Sequence, residues 1–314
     1  METRPVGETG VSISPVGLGG WELGPEEGEE PPVESARGAL KAALAAGINW
    51  VDTSEIYRQT HNEPLIGEAA RGLAEMQISS KAEPKPDGSG FRRDEIHAAC
   101  RGSLQRLGRE QIDLYFLHRP DETGVPIDET WGAMSELVEA GLVRAIGLSN
   151  YDLEEVEHCH AQRRVDVVQD GLSMIDYLDQ RQFFTRCGEL GIAAVIYEPL
   201  GGGVLAGKTL AQVQETWGPD YAEWSFYQRL FVPGKAEQTF AVVEGLKQVA
   251  EKLGASIAQV AIAWVLHQPG VTAAIAGSRN PAHARSNAEA AEISLTEETL
   301  GELEAIVQLG PTAS

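Results

Sequence analysis

The chain has 314 residues, with 25 Lys+Arg against 47 Asp+Glu and a formal charge of −22. Its 42% hydrophobic content argues against wholesale disorder, and a chain this long buries roughly 75% of its unfolded surface without needing covalent staples. The acidic excess argues against sequence-independent nucleic-acid binding and against anionic membranes, since both call for clustered Lys and Arg.

In chain order, a hairpin is expected over 4–14, turning at Glu8–Gly10, then a strand near 15–19 and a helix at 33–46. Strand–helix pairs follow: 47–53 with 62–74, 76–81 with 92–107, 112–117 with 127–140, and 143–148 with 152–162. Residues 165–169 pair with 180–190, and 192–197 lead into a long irregular stretch over 198–235. Helices at 237–253 and 256–267 precede a last strand at 271–276, and a terminal helix is expected at 296–308. Near-continuously apolar strands alternating with helices mean a parallel sheet covered by helices. Eight such units predict a closed (β/α)8 TIM barrel, with an N-terminal β-hairpin and a C-terminal extra helix, as one domain over 1–314. The competing open doubly wound sheet needs G-x-G-x-x-G after its first strand, and GLGGWE at 17–22 lacks the third glycine.

Cys100, Cys159 and Cys187 show no CxxC spacing, which predicts free thiols and a cytoplasmic location. No apolar leader and no run of about 18 apolar residues is present, so neither a signal peptide nor a membrane span is expected.

In a barrel the chemistry sits where strands end and βα loops begin. Asp52 and Tyr57 follow the second strand, Lys81 the third, and His118 with Arg119 the fourth. Ser149 and Asn150 follow the fifth, while Gln169 and Tyr197 end the sixth and seventh. Each alone has a bland reading as a capping, solvated or packing residue; together they converge on one mouth. A tyrosine hydroxyl ordinarily titrates near 10, and a nearby ammonium is expected to lower that. A carboxylate paired with the lysine keeps the ammonium charged, and a histidine orients a carbonyl oxygen. These parts suit carbonyl reduction, with the proton from side chains and the hydride from a cofactor.

The strings DTSEIY (52–57), NEPLIG (62–67), SKAEP (80–84), LHRPD (117–121), GLSN (147–150), YEPLGGG (197–203) and GSRNPAHARSN (277–287) resemble the aldo-keto reductases, in the family's order. The resemblance implies a barrel, a nicotinamide cofactor lying across the strand ends, and no metal. It implies a catalytic tetrad of Asp52, Tyr57, Lys81 and His118, with Tyr57 as general acid. Ser149, Asn150 and Gln169 match the residues that hold the nicotinamide carboxamide, and Tyr197 the aromatic stacked on its ring. Leu200 and Gly202 match the pyrophosphate-facing loop. Gly277, Ser278, Arg279, His283 and Asn287 fall on the segment for the adenosine 2′-phosphate and adenine. Free backbone N–H groups at that helix start, with Arg279, predict NADP(H) in preference to NAD(H). Trp21, Arg58, Arg119 and Trp224 are expected to line the substrate pocket, and Phe226 and Tyr227 could close over substrate.

The chain departs from the family pattern in places. Arg58, Gln59, Thr60 and His61 follow the tyrosine where small residues, often Gly-x-Gly, are usual. Glu198 replaces a serine and is expected to point away from the pyrophosphate. His283 stands where Arg or Gln is frequent, and Ser286 where an acid often contacts adenine. Arg58 and Arg119 could favour an anionic substrate; pairing with acids such as Asp121 is the preferred alternative. Three further patterns have weaker claims. GGVLAGKT (202–209) matches a phosphate-binding P-loop, but Glu198-Pro199-Leu200 separate it from its strand. Residues 158–160 (His-Cys-His) cannot easily share one ion on a helix. Lys81 alone would also allow Schiff-base chemistry. The expected function is NADPH-dependent reduction of an aldehyde or ketone, sugar-like ones included, or the reverse oxidation; the alternative is a nicotinamide-binding regulatory protein with slow turnover.

Overall fold

The computed structural model describes residues 1–25, 29–30, 32–85, 89–176, 178–217 and 225–311. A two-residue-strand hairpin opens the chain, β1 (Arg4–Pro5) pairing antiparallel with β2 (Ser12–Ile13). Eight strands follow: β3 (Val16–Gly19), β4 (Trp50–Asp52), β5 (Gln77–Ala82), β6 (Ile112–Leu117), β7 (Val143–Ser149), β8 (Val167–Gly171), β9 (Ala193–Tyr197) and β10 (Val271–Gly277). They pair in parallel, each with its sequence neighbour, and β10 returns to β3, so the sheet closes as a barrel.

The apolar runs are explained by two buried faces. In β6, Leu114 and Phe116 point into the barrel, while Tyr115 and Leu117 pack beneath the helices. The interior cluster also takes Val6, Val11 and Ile13 from the hairpin, which therefore plugs the barrel floor. Trp50 fills the interior, and a Cβ at Gly17 would lie only 2.2 Å from its ring, so β3 needs glycine there.

Helices α1 (Val33–Ala45), α2 (Asn62–Ala69), α3 (Arg93–Leu107), α4 (Ile127–Glu139), α5 (Leu153–Gln162) and α6 (Arg181–Glu189) fall where strand–helix alternation predicts them. The stretch expected to be irregular holds 3-10 turns over Gly201–Ala206 and two short helices, α7 (Leu210–Trp217) and α8 (Ser225–Leu230). Their shortness hides the helical period from a sequence window. Then come α9 (Lys235–Leu253), α10 (Ile257–Leu266), α11 (Pro281–Glu289) and the C-terminal α12 (Glu297–Val307). Strand β8 runs to Gly171, two residues beyond expectation, so Gln169 is mid-strand. Cys100, Cys159 and Cys187 are free and buried, and burial pushes each thiol up to about 12, which leaves them inert at neutral pH. Among the described residues no single helix is long and apolar enough to cross a membrane.

Candidate active site

The C-terminal ends of β4, β5 and β6 bring Asp52, Lys81 and His118 to one side of the mouth, and the loop after β4 adds Tyr57. Lys81 is wholly buried, and its Nζ donates to Asp52 Oδ2 at 2.5 Å, the Thr53 carbonyl at 2.9 Å and the Tyr57 hydroxyl at 3.2 Å. The other oxygen of Asp52 accepts from Ser79 Oγ at 2.7 Å and Gln169 Nε2 at 3.1 Å. Burial alone would lower the Lys81 pKa, but the charge of Asp52 and the bonds to Asp52 and Tyr57 outweigh it and raise the value. A Schiff-base lysine needs the opposite shift, so this ammonium is an electrostatic group and not a nucleophile.

The expected lowering of Tyr57 is not what the structure gives. Burial drives the Tyr57 pKa above its ordinary value, and Lys81 pulls it back only in part. Tyr57 therefore holds its proton at neutral pH, in the state a general acid requires. Trp21 packs edge-on against it with ring centroids 5.1 Å apart, and the His118 ring lies at 5.7 Å.

The loop after Tyr57 keeps a left-handed path although its glycines are absent: Arg58, Gln59 and Thr60 have φ of 51°, 54° and 72°. Bulky residues pay for that region with strain. The turn is held by Asn62 N–H donating to the Tyr57 carbonyl at 3.3 Å and by Arg58 Nε donating to the Trp21 carbonyl at 3.0 Å. The guanidinium of Arg58 also lies 4.7 Å from the centre of the Trp21 ring. Arg119 pairs with Glu83, not Asp121, whose oxygens accept from the Phe91 and Thr123 N–H groups. Both arginines that were candidates for anion recognition thus have protein partners.

On the other side of the mouth, Ser149 is buried and Asn150 is exposed in the left-handed region, with φ of 64°. The Asn150 amide donates to the His118 carbonyl at 2.8 Å and to Ser149 Oγ at 3.0 Å, and accepts from the Tyr197 hydroxyl at 2.7 Å. These bonds tie three of the predicted cofactor residues to the His118 loop. Leu200 and Gly202 sit on the 3-10 turns after β9, where Gly201, Gly202 and Gly203 all have positive φ. Consecutive 3-10 turns after Glu198-Pro199-Leu200 are not a phosphate loop opening directly from a strand, so the P-loop match has no structural counterpart. Glu198 turns inward: its Oε2 is buried without a hydrogen bond. Burial, with Asp176 and Glu22 nearby, raises its carboxyl to about 7 despite Arg229. A carboxyl raised in this way repels a pyrophosphate less than an ordinary carboxylate would.

The start of α11 differs from expectation. Asn280 caps it, its side chain accepting from Ala282 N–H at 2.9 Å; His283 N–H and Ala284 N–H donate to the Asn280 carbonyl. Pro281 has no N–H, so the first turn has no spare backbone donor for a phosphate. Anion recognition there falls to side chains. Ser278 Oγ accepts from Asn280 N–H at 3.0 Å and lies 3.2 Å from His283 Nδ1. Arg279 reaches across from the edge of β10 to the Glu22 and Gly24 carbonyls, not to Glu289. The Asn287 amide is nearly buried, yet bonds to no described side chain or backbone group. This set of neutral amides and hydroxyls, one guanidinium and a glycine turn fits the amide, ring and phosphate parts of a nicotinamide dinucleotide.

The side chains of Trp224, Phe226 and Tyr227 lie outside the described residues. Residues 158–160 diverge: His158 bonds Asp128, Cys159 is buried, and His160 accepts from Val165 N–H. Among the described residues no three His, Cys, Asp or Glu side chains are placed to share an ion. Sequence reasoning gave no role to Glu83, which contacts His118. Its signal was available, as an acidic residue immediately past the end of β5.

The aldo/keto reductase family model matches residues 15–308. The chain is 29% identical to a protein of Oryza sativa subsp. japonica described as a probable voltage-gated potassium channel subunit beta, over 99% of this chain and 98% of that one. It superposes on a glycerol dehydrogenase from Gluconobacter oxydans with a TM-score of 0.86 at 25% identity, covering 97% of this chain and 94% of the other. A thermostable aldo-keto reductase, solved with the inhibitor epalrestat, gives 0.76 at 29% identity, covering 99% and 100%. The chain belongs to the aldo/keto reductase family and is an NAD(P)H-dependent oxidoreductase.

Proposed function

We propose that the protein reduces an aldehyde or ketone to the alcohol, sugar-like carbonyls included, or runs the reverse oxidation, with Tyr57 as general acid/base. The observation that carries this reading is the unbroken chain from Asp52 through the buried Lys81 to the Tyr57 hydroxyl. A bound nicotinamide supplies the hydride. As the carbonyl oxygen becomes an alkoxide, Tyr57 gives it a proton, and the Lys81 ammonium at 3.2 Å stabilises the phenolate left behind. Asp52 holds that ammonium charged and in place. Ser149, Asn150, Gln169 and Tyr197 would hold the nicotinamide end, Leu200 and Gly202 the pyrophosphate, and Gly277, Ser278, Arg279, His283 and Asn287 the adenosine end. A screen of aldehydes, ketones and sugars with NADPH, followed at the nicotinamide absorbance, tests the reading; no turnover of any of them counts against it.

NADP(H) is the preferred cofactor in this reading. Arg279 offers a permanent cation and Ser278 a hydroxyl to the adenosine 2′-phosphate. Releasing the Glu22 and Gly24 carbonyls offsets part of that gain. A charge-assisted hydrogen bond contributes about 1.5–3 kcal/mol, or roughly tenfold to a hundredfold in affinity. Arg279→Ala is expected to weaken NADPH by that factor and NADH little, as read by fluorescence titration; equal losses for both would end the assignment.

The likeness to the rice channel subunit favours a second reading, a nicotinamide-binding regulator with slow turnover. Single-turnover and steady-state rates separate the two. An enzyme is fast in both, whereas a regulator cycles slowly with its nucleotide retained.

A further inference from the structure

Arg58, Gln59 and Thr60, in a row after Tyr57, have φ between 51° and 72°. Glycine adopts that region freely and residues with side chains do not. Strain kept beside a reacting group points to a use for the side chains that cause it. The Arg58 side chain has a defined course. Its stem runs against Gly24, where a Cβ would lie 2.4 Å from Arg58 Cγ, so glycine is what lets it pass. Its Nε donates to the Trp21 carbonyl at 3.0 Å, and the guanidinium carbon lies 4.7 Å from the centre of the Trp21 ring.

The Trp21 indole stands at the mouth, 37% exposed, with the Tyr57 ring edge-on to it at 5.1 Å. The backbone beneath it is fixed from other directions as well. The Gly20 carbonyl accepts from Asn62 Nδ2 at 2.8 Å, and Gly20 N–H donates to the Asp52 carbonyl at 2.8 Å. The Glu22 and Gly24 carbonyls accept from Arg279. With the main chain held, the freedom left to the indole is rotation about its own side-chain bonds. A guanidinium over the ring face opposes that rotation, because the π-system attracts the cation and the planar group stacks on it. A small residue after Tyr57 would leave that face uncovered.

We propose that Arg58 is a positioning residue that holds the Trp21 indole as a fixed wall beside the Tyr57 hydroxyl, so that the site takes narrow, unbranched aldehydes and turns away those branched next to the carbonyl carbon. The inference rests on the reductase reading for its substrates; the hold on Trp21 does not depend on that reading. A carbonyl oxygen bonded to the Tyr57 hydroxyl brings its carbon's substituents up to the neighbouring indole. A straight chain passes beside the ring, whereas a tertiary carbon requires the ring to turn. Turning breaks the contact with Arg58, a penalty of about two- to fivefold for a cation–π pair at an exposed site.

Two variants test the hold. Arg58→Met keeps the stem against Gly24 and removes the cation and its Nε–H. Arg58→Gly removes the whole side chain and relieves the backbone, so strain gives it no reason to misfold. The first readout is 19F NMR of protein labelled with 5-fluorotryptophan, six residues in all, with Trp21 assigned by its loss in Trp21→Phe. The Trp21 line should narrow in both variants as the ring comes free. A line of unchanged width in both overturns the proposal, and so does a wild-type width in Arg58→Met, which would leave the stem alone holding the ring.

The second readout is kcat/KM for trimethylacetaldehyde relative to propionaldehyde, with NADPH. The ratio should rise about two- to fivefold in each variant, the size of the lost contact. In a Trp21→Ala background Arg58→Met should change the ratio no further, because the arginine acts through the indole. An unchanged ratio in the single variants, or an equal change in both backgrounds, overturns the proposal. If neither aldehyde turns over, the assigned substrates fall with the reductase reading, and the 19F line width still decides whether Arg58 holds Trp21.

Discussion

Tyr57→Phe is expected to lower kcat by at least about 10²–10⁴-fold, the range that general acid catalysis contributes, while cofactor affinity changes little. The substitution removes only the hydroxyl, which accepts from Lys81 Nζ at 3.2 Å, and keeps the ring that packs against Trp21 and His118. Because burial holds Tyr57 protonated, the wild-type kcat for reduction should hold through neutral pH and fall as the hydroxyl ionises above its ordinary value. Steady-state kinetics and cofactor titration on the same preparation separate the two effects. Retention of wild-type kcat in Tyr57→Phe would end the proposed mechanism.

Lys81→Met should cost about 3–5 kcal/mol of stability, the range found when one partner of a buried ion pair is removed. Lys81 is fully buried, and the substitution leaves the Asp52 carboxylate with only the Ser79 and Gln169 donors, and the Thr53 carbonyl without its ammonium partner. An Asp52→Asn/Lys81→Met double variant should recover much of the loss, since no unpaired charge is then buried. The pKa of Lys81 is raised in the fold. Its contribution is therefore fully present below the unfolded value of about 10.4 and is lost as pH rises through the folded one. Denaturant unfolding of the single and double variants checks this; a loss under about 1 kcal/mol for Lys81→Met would contradict the buried-pair account.

Much of this architecture was legible in the residues. The strands at 112–117 and 192–197 are apolar on both faces because each is buried on both, and that continuity with intervening helical periods means a helix-wrapped parallel sheet. The eight-strand count, and the rule that polar residues just past strand ends share one mouth, single out Asp52, Tyr57, Lys81 and His118 from the sequence alone. Helices α7 and α8 were less legible, since six or eight residues scarcely complete two helical turns.

What the tertiary structure decided was the environment of each group. The sequence places a lysine near a tyrosine, but the sign of the Tyr57 shift depends on whether burial or the ammonium wins, and burial wins. Arg119 chooses Glu83 over Asp121, because the Asp121 oxygens are already taken by two backbone N–H groups. Arg279 crosses 257 positions of chain to the Glu22 carbonyl, and the α11 turn it precedes has capped its own donors. Composition, periodicity and strand-end position are local properties and set the barrel and the residue types around its mouth. Protonation states and ion-pair partners are set by which atoms lie within about 3 Å, and folding alone brings those atoms together from distant parts of the chain.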